Sequence, residues 1–112
     1  MAYALALAAL ADPTRRALFE SVRARPRTVG ELAEQVGVRQ PTVSQHLLVL
    51  REARLVTDRR DGTRRYYSAS RDGLAELRQY VESLWDDVMT AYAASDPHPP
   101  GRPRRAKPRR GR

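Results

Sequence analysis

The first half of the chain places apolar residues at the three- and four-residue intervals of amphipathic helices. One such segment, Pro13–Arg23, has Leu18 and Val22 on its apolar side. Asp12 precedes it and is a residue type that accepts hydrogen bonds from the free amides at a helix start. The residues before it, MAYALALAALA, are small and apolar, and they predict a short helix that packs against another part of the protein.

Two further helices are predicted in close succession. The segment TVGELAEQVG combines Thr28 with Glu31, which is the spacing of a capping box, and it ends at Gly37, a common C-terminal cap. After the short turn VRQ, a second helix is predicted to run to about Ala53. Two short helices joined by a tight turn, with polar residues at the start of the second, indicate a helix-turn-helix.

The pattern then changes to that of β-strands. The segment RLVTDRRDGTRRYYSAS has two β-prone arms on either side of Asp61 and Gly62, a pair that readily forms a tight hairpin turn. Strands are predicted near residues 55–59 and 64–68. A hairpin directly after a helix-turn-helix is a wing, so the expected fold is mainly α with a small β-hairpin, a winged helix-turn-helix of about five helices and a two-stranded wing.

The last predicted helix spans residues 71–93 and follows Ser70 as its cap. Its apolar residues recur at alternating intervals of three and four, with Trp85 beside them: Leu74, Leu77, Val81, Leu84, Val88 and Tyr92. This seam is longer than a small domain needs for its own core. A chain of 112 residues would also gain stability by pairing with a copy of itself.

Positive charge is concentrated at the C-terminus. The formal net charge is +8, but residues 95–112 hold seven basic residues and one acidic residue, so residues 1–94 carry only +2. The terminal segment, SDPHPPGRPRRAKPRRGR, lacks the apolar residues that a folded core requires. The chain therefore divides into a folded domain over residues 1–94 and a disordered basic tail over residues 95–112. The tail is either a nonspecific phosphate-binding arm or a solvated extension.

Several kinds of chemistry lack the residues that they require. The sequence has no cysteine, which excludes disulfides, thiolate metal sites and thiol redox switches. Its two histidines, His46 and His98, do not form a zinc ligand set with acidic residues, so no cofactor is expected. There is no glycine-rich phosphate loop, carboxylate cluster or activated nucleophile, and an enzyme is not expected. The apolar start lacks the basic region of a signal peptide and is too short to span a bilayer, which predicts a cytoplasmic protein without a membrane partner.

Three segments together carry a family resemblance: ALADPTRRALFESV, TVGELAEQVGVRQPTVSQHLLVLREARLV and DGTRRYYS. In this order and at these separations they resemble the ArsR-type winged-helix repressors of bacteria, particularly the branch without metal-binding cysteines. The resemblance covers about residues 5–92. It implies a homodimer, joined through the first and last helices, that binds an inverted-repeat operator in double-stranded DNA and blocks transcription. It also implies autoregulation, and it makes residues 1–94 a DNA-binding and dimerisation domain.

The chain departs from the family pattern at three positions. Arg39 stands where the family usually has a serine just before the recognition helix, so the usual hydroxyl cap is missing. Arg54 replaces a common glycine after that helix, which implies either a left-handed arginine or a different exit from the helix. Leu48 stands where a lysine or another polar residue is frequent.

The candidate DNA contacts lie on the second helix of the helix-turn-helix and on the wing. When Val43, Leu47 and Leu50 form the buried stripe, Gln45 points directly away from the core. The start of such a helix meets base edges in the major groove, and wing arginines suit the minor groove. The candidates are Arg39, Gln40, Thr42, Ser44, Gln45 and His46 on the helix and Arg59, Arg60, Arg64 and Arg65 on the wing.

Other interpretations of these residues stay open. The polar helix start would also suit a solvated surface, and the wing arginines would also protect an edge strand from aggregation. His46 is either a base contact or a half-buried histidine that is hydrogen-bonded to the backbone. Of Tyr66 and Tyr67, which point to opposite faces of their strand, one is expected to pack on the core and the other to reach a phosphate.

The candidate dimer interface comprises Leu5, Leu77, Val81, Leu84, Trp85, Val88 and Tyr92. The aromatic residues Tyr80, Trp85 and Tyr92 are compatible with interface packing or with a pocket for a small-molecule effector of unknown identity. Two other functions compete with the repressor. One is an architectural, sequence-tolerant nucleic-acid-binding protein that depends on the basic tail, and the other is a ligand- or protein-interaction module with a winged-helix shape.

Overall fold

The computed structural model describes residues 2–95. These residues form α1 (Ala2–Ala11), α2 (Pro13–Arg23), β1 (Arg27–Thr28), α3 (Val29–Val36), α4 (Gln40–Glu52), β2 (Val56–Asp61), β3 (Arg64–Ala69) and α5 (Arg71–Ser95). The expected winged helix-turn-helix is confirmed, with α3 and α4 as the helix-turn-helix and the hairpin of β2 and β3 as the wing. The predicted basic tail beyond residue 95, including His98, lies outside the described residues.

The hydrophobic core lies where the first four helices meet the base of the wing. Its largest fully buried side chains are Leu18, Val22, Leu32, Val43, Leu47, Leu50 and Leu55. The first helix contributes the small residues Ala6 and Ala9 to the buried core, and its half-buried Leu10 packs against that core. Small side chains let α1 lie close to the rest of the domain. The predicted buried stripe of α4, formed by Val43, Leu47 and Leu50, is confirmed. The opposite face of α4 therefore makes no contact with the core and is exposed.

Charged side chains organise the connection between α1 and α2. Asp12 accepts a hydrogen bond from the backbone N–H of Arg15 at 2.9 Å, and this bond lowers the pKa of the Asp12 carboxyl below its ordinary value. The side chains of Arg15 and Arg16 extend back to the end of α1, where they donate to the carbonyl oxygens of Ala9 and Leu10, each at 2.9 Å. These carbonyls lie in the last turn of a helix and have no partner within it.

The sheet contains a third strand that the sequence pattern did not predict. Its order is β1-β3-β2, and all neighbours are antiparallel. In β1, Arg27 and Thr28 pair with Tyr67 and Tyr66 of β3. Arg27 also donates from Nε to the carbonyl oxygen of Ser21 at 2.7 Å, which attaches the strand to α2. The buried Tyr67 packs on the core, as expected for one of the two tyrosines, while Tyr66 is half-buried.

The hairpin turn lies one residue further along than predicted. Asp61 pairs with Arg64, so the loop consists of Gly62 and Thr63, and Asp61 is the last residue of β2. Gly62 has a φ of 66°, which suits glycine. Because the strands are longer than predicted, two pairs of cross-strand residues follow Arg59 in the hairpin. The wing therefore extends well away from the core.

The connection between α4 and the wing contains an arginine in the left-handed region. Arg54 has a φ of 61°, which confirms the first of the two geometries considered for this position. The N–H of Leu55 donates to the carbonyl oxygen of Leu50, and the N–H of Arg54 donates to that of Arg51, both at 2.9 Å. This is the hydrogen-bond pattern of a Schellman C-cap. The Arg54 guanidinium forms a salt bridge of 2.7 Å with Glu76 of α5.

The beginning of α5 lies directly against this connection. The backbone amides of Ser70 and Gly73 donate to the carbonyl oxygens of Leu55 and Arg54 at 2.8 and 2.7 Å. A Cβ atom on Gly73 would collide with the carbonyl oxygen of Ala53 and would lie 2.7 Å from that of Arg54. Position 73 therefore requires glycine because two backbone segments meet there without space for a side chain.

The chain divides into two compact units between residues 80 and 81. In the first unit, Tyr3 of α1 stacks on Tyr80 with ring centroids 3.9 Å apart. In the second, the described residues form the C-terminal part of α5, and all of them are exposed. Ser95 was assigned to the tail from sequence, but it is the last residue of α5, and its hydroxyl donates to the carbonyl oxygen of Tyr92. None of the helices within residues 2–95 has the length and apolar character needed to cross a bilayer.

Candidate nucleic-acid interface

The α4 helix presents a polar face opposite its buried stripe. Gln40, Ser44 and Gln45 are exposed, and Thr42 and His46 are half-buried at the sides. Exposure alternates along the helix because every third or fourth residue returns to the core. The structure thus brings together, on one exposed surface, the polar residues that the sequence predicted as DNA contacts.

The start of α4 has no side-chain cap. Arg39 takes the N-cap position with extended backbone geometry, and its side chain makes no capping hydrogen bond. The amides of the first turn therefore keep their partial positive charge available to an anion. Arg39 and Gln40 are exposed beside these amides. A cationic side chain and unsatisfied amides at one helix end form a suitable position for a DNA phosphate.

Leu48 adds an apolar group to the polar face. Its side chain is 55% exposed, and it lies one helical turn beyond Ser44 and Gln45. An exposed leucine on a helix that meets base edges offers a surface for the methyl group of thymine. A leucine at this position is a departure from the family pattern.

His46 contacts an arginine from another helix. Its Nδ1 lies 3.5 Å from Nη1 of Arg15, a residue of α2 that is 31 positions away in the chain. Within residues 2–95, His46 makes no other hydrogen bond. The alternative of a histidine that is hydrogen-bonded to the backbone is therefore not what the structure contains. Sequence reasoning missed Arg15, because no local pattern indicates a contact over such a separation.

The four candidate arginines of the wing are all exposed, but their surroundings differ. The Arg59 guanidinium lies over the ring of Tyr66, 5.9 Å from the ring centroid. Arg65 forms an ion pair of 3.2 Å with Asp58. Arg60 and Arg64 form no ion pair with any residue of the described chain. The wing therefore offers two unpaired cations close to its tip and two that are held in place.

Asp58 joins the wing to α4. One carboxylate oxygen lies 3.4 Å from Nη1 of Arg51, and the other lies 3.2 Å from Nε of Arg65. The Asp58 side chain is only 14% exposed, whereas both arginines are largely exposed. A hydrogen bond with the Tyr67 side chain, together with the charge of Asp58, raises the pKa of Arg65. Sequence reasoning did not include Arg51 in the site, since the partner that gives it a role lies on another element.

The candidate dimer residues are exposed with one exception. Leu5, Val81, Leu84, Trp85, Val88 and Tyr92 are exposed. So are Leu7 and Met89, which the prediction omitted, and Leu74, which was predicted for the apolar seam but not for the interface. Leu77 is half-buried and packs against the core of its own chain. Over residues 81–92 the exposed apolar side chains recur at three- and one-residue steps, which places them on one side of α5. Leu77 therefore contributes to the core of its own chain, whereas its part in a dimer interface stays a prediction.

Two surface depressions accompany these elements. One has a volume of about 280 Å³ and lies between the start of α3 and the wing, lined by Thr28, Val29, Gly30, Arg64 and Arg65. The other, of about 190 Å³, lies on α5 and is lined by Arg71, Leu74, Ala75 and Arg78. Among residues 2–95, no three histidine or acidic side chains are grouped in a way that would hold a metal ion.

Comparison with known proteins gives consistent matches over this fold. Residues 10–59 match the family model described as a helix-turn-helix domain. The HTH-type transcriptional regulator Rv2034 of Mycobacterium tuberculosis is 52% identical over 85 residues, which cover 76% of this chain and 79% of that protein. A solved structure of a possible transcriptional regulator for arsenical resistance is 40% identical, with a TM-score of 0.66, and the match covers 82% of this chain and 96% of that one. The transcriptional repressor BigR from Xylella fastidiosa is 36% identical, with a TM-score of 0.58, and the match covers 74% and 82% of the two chains.

Proposed function

Because this chain belongs to the ArsR-type winged helix-turn-helix family of DNA-binding transcriptional regulators, we propose that it represses transcription, its own gene included, by binding an inverted-repeat operator as a homodimer. The observation that carries this proposal is the exposed polar face at the start of α4, opposite a fully buried stripe. BigR, a structural relative, is named as a transcriptional repressor, which supports repression as the direction of control.

In the proposed complex, the start of α4 enters the major groove. Gln45 has the donor and acceptor needed to pair with adenine, and the hydroxyl of Ser44 suits either a base or a phosphate. The uncapped helix start and Arg39 are available to the phosphate backbone. The wing extends to the side, where Arg60 and Arg64 near its tip suit the negative potential of the narrow minor groove.

The surfaces of α1 and α5 support the proposed dimer. The outward face of α1 consists of alanine and leucine, with Leu5 and Leu7 exposed, and a helix that is apolar on all sides is normally buried in the complete assembly. The exposed apolar side of α5 includes Trp85, which is 64% exposed. A second copy of the chain has the same apolar faces on α1 and α5. In a dimer with two-fold symmetry, each of these faces would be buried against the apolar faces of the partner.

Footprinting and gel-shift titration on the DNA upstream of the gene test the binding mode. We expect protection of an inverted repeat whose half-sites lie about one helical turn apart, roughly 34 Å. Gln45→Ala should weaken operator binding by about 1 to 3 kcal/mol, because it removes a base contact. Gln35→Ala changes an exposed glutamine of α3 and is the matched control. Equal affinity for operator and scrambled duplexes at about 0.15 M salt would contradict the proposal.

Analytical ultracentrifugation tests the dimer. Val88→Glu introduces a charge into the exposed apolar side of α5 and should produce monomers that lose operator binding. Thr90→Glu adds the same charge to an exposed residue that lies off the apolar side, and it should leave the dimer intact. Trp85 is the only tryptophan, so its emission should shift to shorter wavelength as protein concentration rises and the indole becomes buried. A wild-type chain that stays monomeric on the operator would refute the proposed homodimer.

A further inference from the structure

The Arg15 side chain lies between the end of α1 and the His46 ring of α4. Its Nε donates to the carbonyl oxygen of Ala9 at 2.9 Å, and Nη2 donates to that of Ala8 at 3.4 Å. The third nitrogen of the guanidinium, Nη1, lies 3.5 Å from Nδ1 of His46. The planar guanidinium is therefore held by backbone atoms on one side while it faces the imidazole on the other.

The chemistry of the two groups determines which ring nitrogen carries the proton. A guanidinium has only N–H donors and accepts no hydrogen bond. Nδ1 can therefore take part in this contact only as an acceptor, which requires a neutral imidazole with its hydrogen on Nε2. The contact selects one of the two neutral tautomers of His46.

The selected tautomer leaves a donor available. Within the described residues, Nε2 of His46 has no hydrogen-bond partner, and the ring is half-buried at the side of the polar face of α4. A half-buried donor without a partner is costly unless a ligand or water satisfies it. On this helix face, the proposed ligand is DNA, which has acceptors at guanine N7 and O6 and at the phosphate oxygens.

We infer that Arg15 is a positioning residue for DNA binding: it holds His46 in the Nε2–H form, and that N–H donates to an acceptor on the operator. This inference rests on the proposed function, because it concerns the same face of α4. It assigns a role in sequence recognition to a residue of α2 that was not among the predicted contacts and that touches one of them, His46.

Arg16 provides a matched control for Arg15. Its guanidinium also donates to carbonyl oxygens at the end of α1, those of Leu10 and Ala11 at 2.9 and 3.5 Å, but it does not contact His46. Lysine keeps the positive charge and lacks the planar fork of arginine. Arg15→Lys and Arg16→Lys therefore change the capping of α1 in similar ways and keep the net charge, while only the first replaces the guanidinium that contacts the imidazole.

The ring tautomer can be measured directly by long-range ¹⁵N–¹H NMR on the full chain at about pH 8, where histidine is neutral. The His46 signals are identified by their loss in His46→Ala, since His98 is the only other histidine. We expect the Nε2–H pattern in the wild type and in Arg16→Lys, and a mixture of both tautomers in Arg15→Lys. An Nδ1–H pattern in the wild type, or an unchanged pattern in Arg15→Lys, overturns the inference even if operator binding is intact.

Operator titration supplies the functional half of the test. Arg15→Lys should lower operator affinity by about tenfold, leave affinity for a scrambled duplex unchanged, and cause no further loss in the His46→Ala background. Additive losses in the double variant overturn the inference. A loss of affinity on a duplex with one 7-deazaguanine or one 2-aminopurine, which lack N7 and O6 respectively, assigns the acceptor to guanine if the loss is absent in His46→Ala. The same result on a methylphosphonate duplex assigns the acceptor to phosphate. If none of these duplexes gives such a loss, the contact is overturned. Failure of the proposed function differs, because operator and scrambled DNA would then bind alike in the wild type.

Discussion

Arg54 shows how a single residue can hold a connection at some cost in stability. Among residues 2–95 it is the only residue other than glycine with a positive φ. A side chain in this region meets a steric penalty that glycine avoids. The hydrogen bonds of the C-cap and the salt bridge with Glu76 hold Arg54 there. Because the salt bridge is largely exposed, its contribution to stability is small.

Substitutions of Arg54 should separate these two effects. Arg54→Ala keeps the strained backbone and loses the salt bridge, so it should lower the free energy of unfolding by about 0 to 1 kcal/mol. Arg54→Gly also loses the salt bridge but relieves the backbone, and it should be more stable than Arg54→Ala by about 1 kcal/mol. Chemical denaturation measures both values. Equal stability of the two variants would mean that the left-handed conformation carries no penalty.

Leu48 is expected to distinguish thymine from uracil in the operator. Replacing thymine by uracil in one half-site position removes only a methyl group, and the wild type should lose about fivefold in affinity at the position that Leu48 meets. Leu48→Ala should bind the two duplexes equally, because the apolar partner is gone. Val49→Ala, a change at the neighbouring exposed position, is the control. The same sensitivity to uracil in Leu48→Ala and in the wild type would exclude this contact.

At the residue scale, periodicity predicts exposure but not partners. The exposure of Ser44 and Gln45 follows from counting along a helix once Leu47 and Leu50 are taken as buried. The contact between Arg15 and His46 depends instead on how two helices pack. Such pairings arise from the tertiary structure, and no spacing within either segment indicates them.

At the scale of elements, Asp58 links the wing to α4, and these two elements hold the candidate DNA contacts. Its carboxylate lies between an arginine of each element. Asp58→Asn should free both arginines, raise affinity for scrambled DNA and reduce the ratio of operator to scrambled affinity, since unpaired cations strengthen sequence-independent binding. Asp61→Asn removes the same charge at the end of β2, where the carboxylate forms no ion pair within the described chain.

The comparison of these two variants separates two effects of Asp58: its negative charge and the position in which it holds the two arginines. Asp61→Asn should raise affinity for both duplexes to a similar extent and so keep their ratio close to that of the wild type. The measurement is fluorescence anisotropy with labelled duplexes at several salt concentrations. If both substitutions change the ratio equally, Asp58 acts through its charge alone.

Gly73 is expected to be the least replaceable glycine of the described chain. Gly73→Ala places a Cβ atom against backbone oxygens, which cannot move as a side chain can, and should destabilise the fold by about 1 to 3 kcal/mol. Gly30→Ala is the control, because its Cβ atom would lie 3.6 Å from the nearest atom, an ordinary contact. That variant should be as stable as the wild type or up to about 1 kcal/mol more stable. Thermal unfolding of the two variants provides the comparison.

Most helices and strands can be predicted from local sequence signals, and β1 is the exception. The starts of α2 and α3 lie where their caps predict, because a capping side chain acts on the next few residues. The β1 strand has only two residues, and it exists because β3 lies beside it. A segment so short has no periodicity of its own, so pairing across the fold is what defines it.

At the scale of the whole molecule, most of the excess positive charge and the candidate base contacts occupy different parts of the sequence. Residues 1–94 carry a charge of only +2, and the basic excess follows them. Removing residues 96–112 should therefore flatten the dependence of DNA affinity on salt while leaving the preference for the operator, as each phosphate contact contributes about 0.9 to the slope. Replacing the basic residues of this segment by glutamine, at constant length, should have the same effect. A general loss of binding would instead favour the architectural alternative.

The close approach at Gly73 has a mechanical consequence. With no side chain between them, the Gly73 N–H donates directly to the Arg54 carbonyl oxygen at 2.7 Å, so the first turn of α5 is joined to the residues that follow α4 through backbone atoms alone. We expect a change in the direction of α5 to be passed to this connection, because no flexible side chain lies between the two backbone segments. A spectroscopic label on the exposed Asp72 would therefore report such a change from a helix other than α4, which holds the candidate DNA contacts.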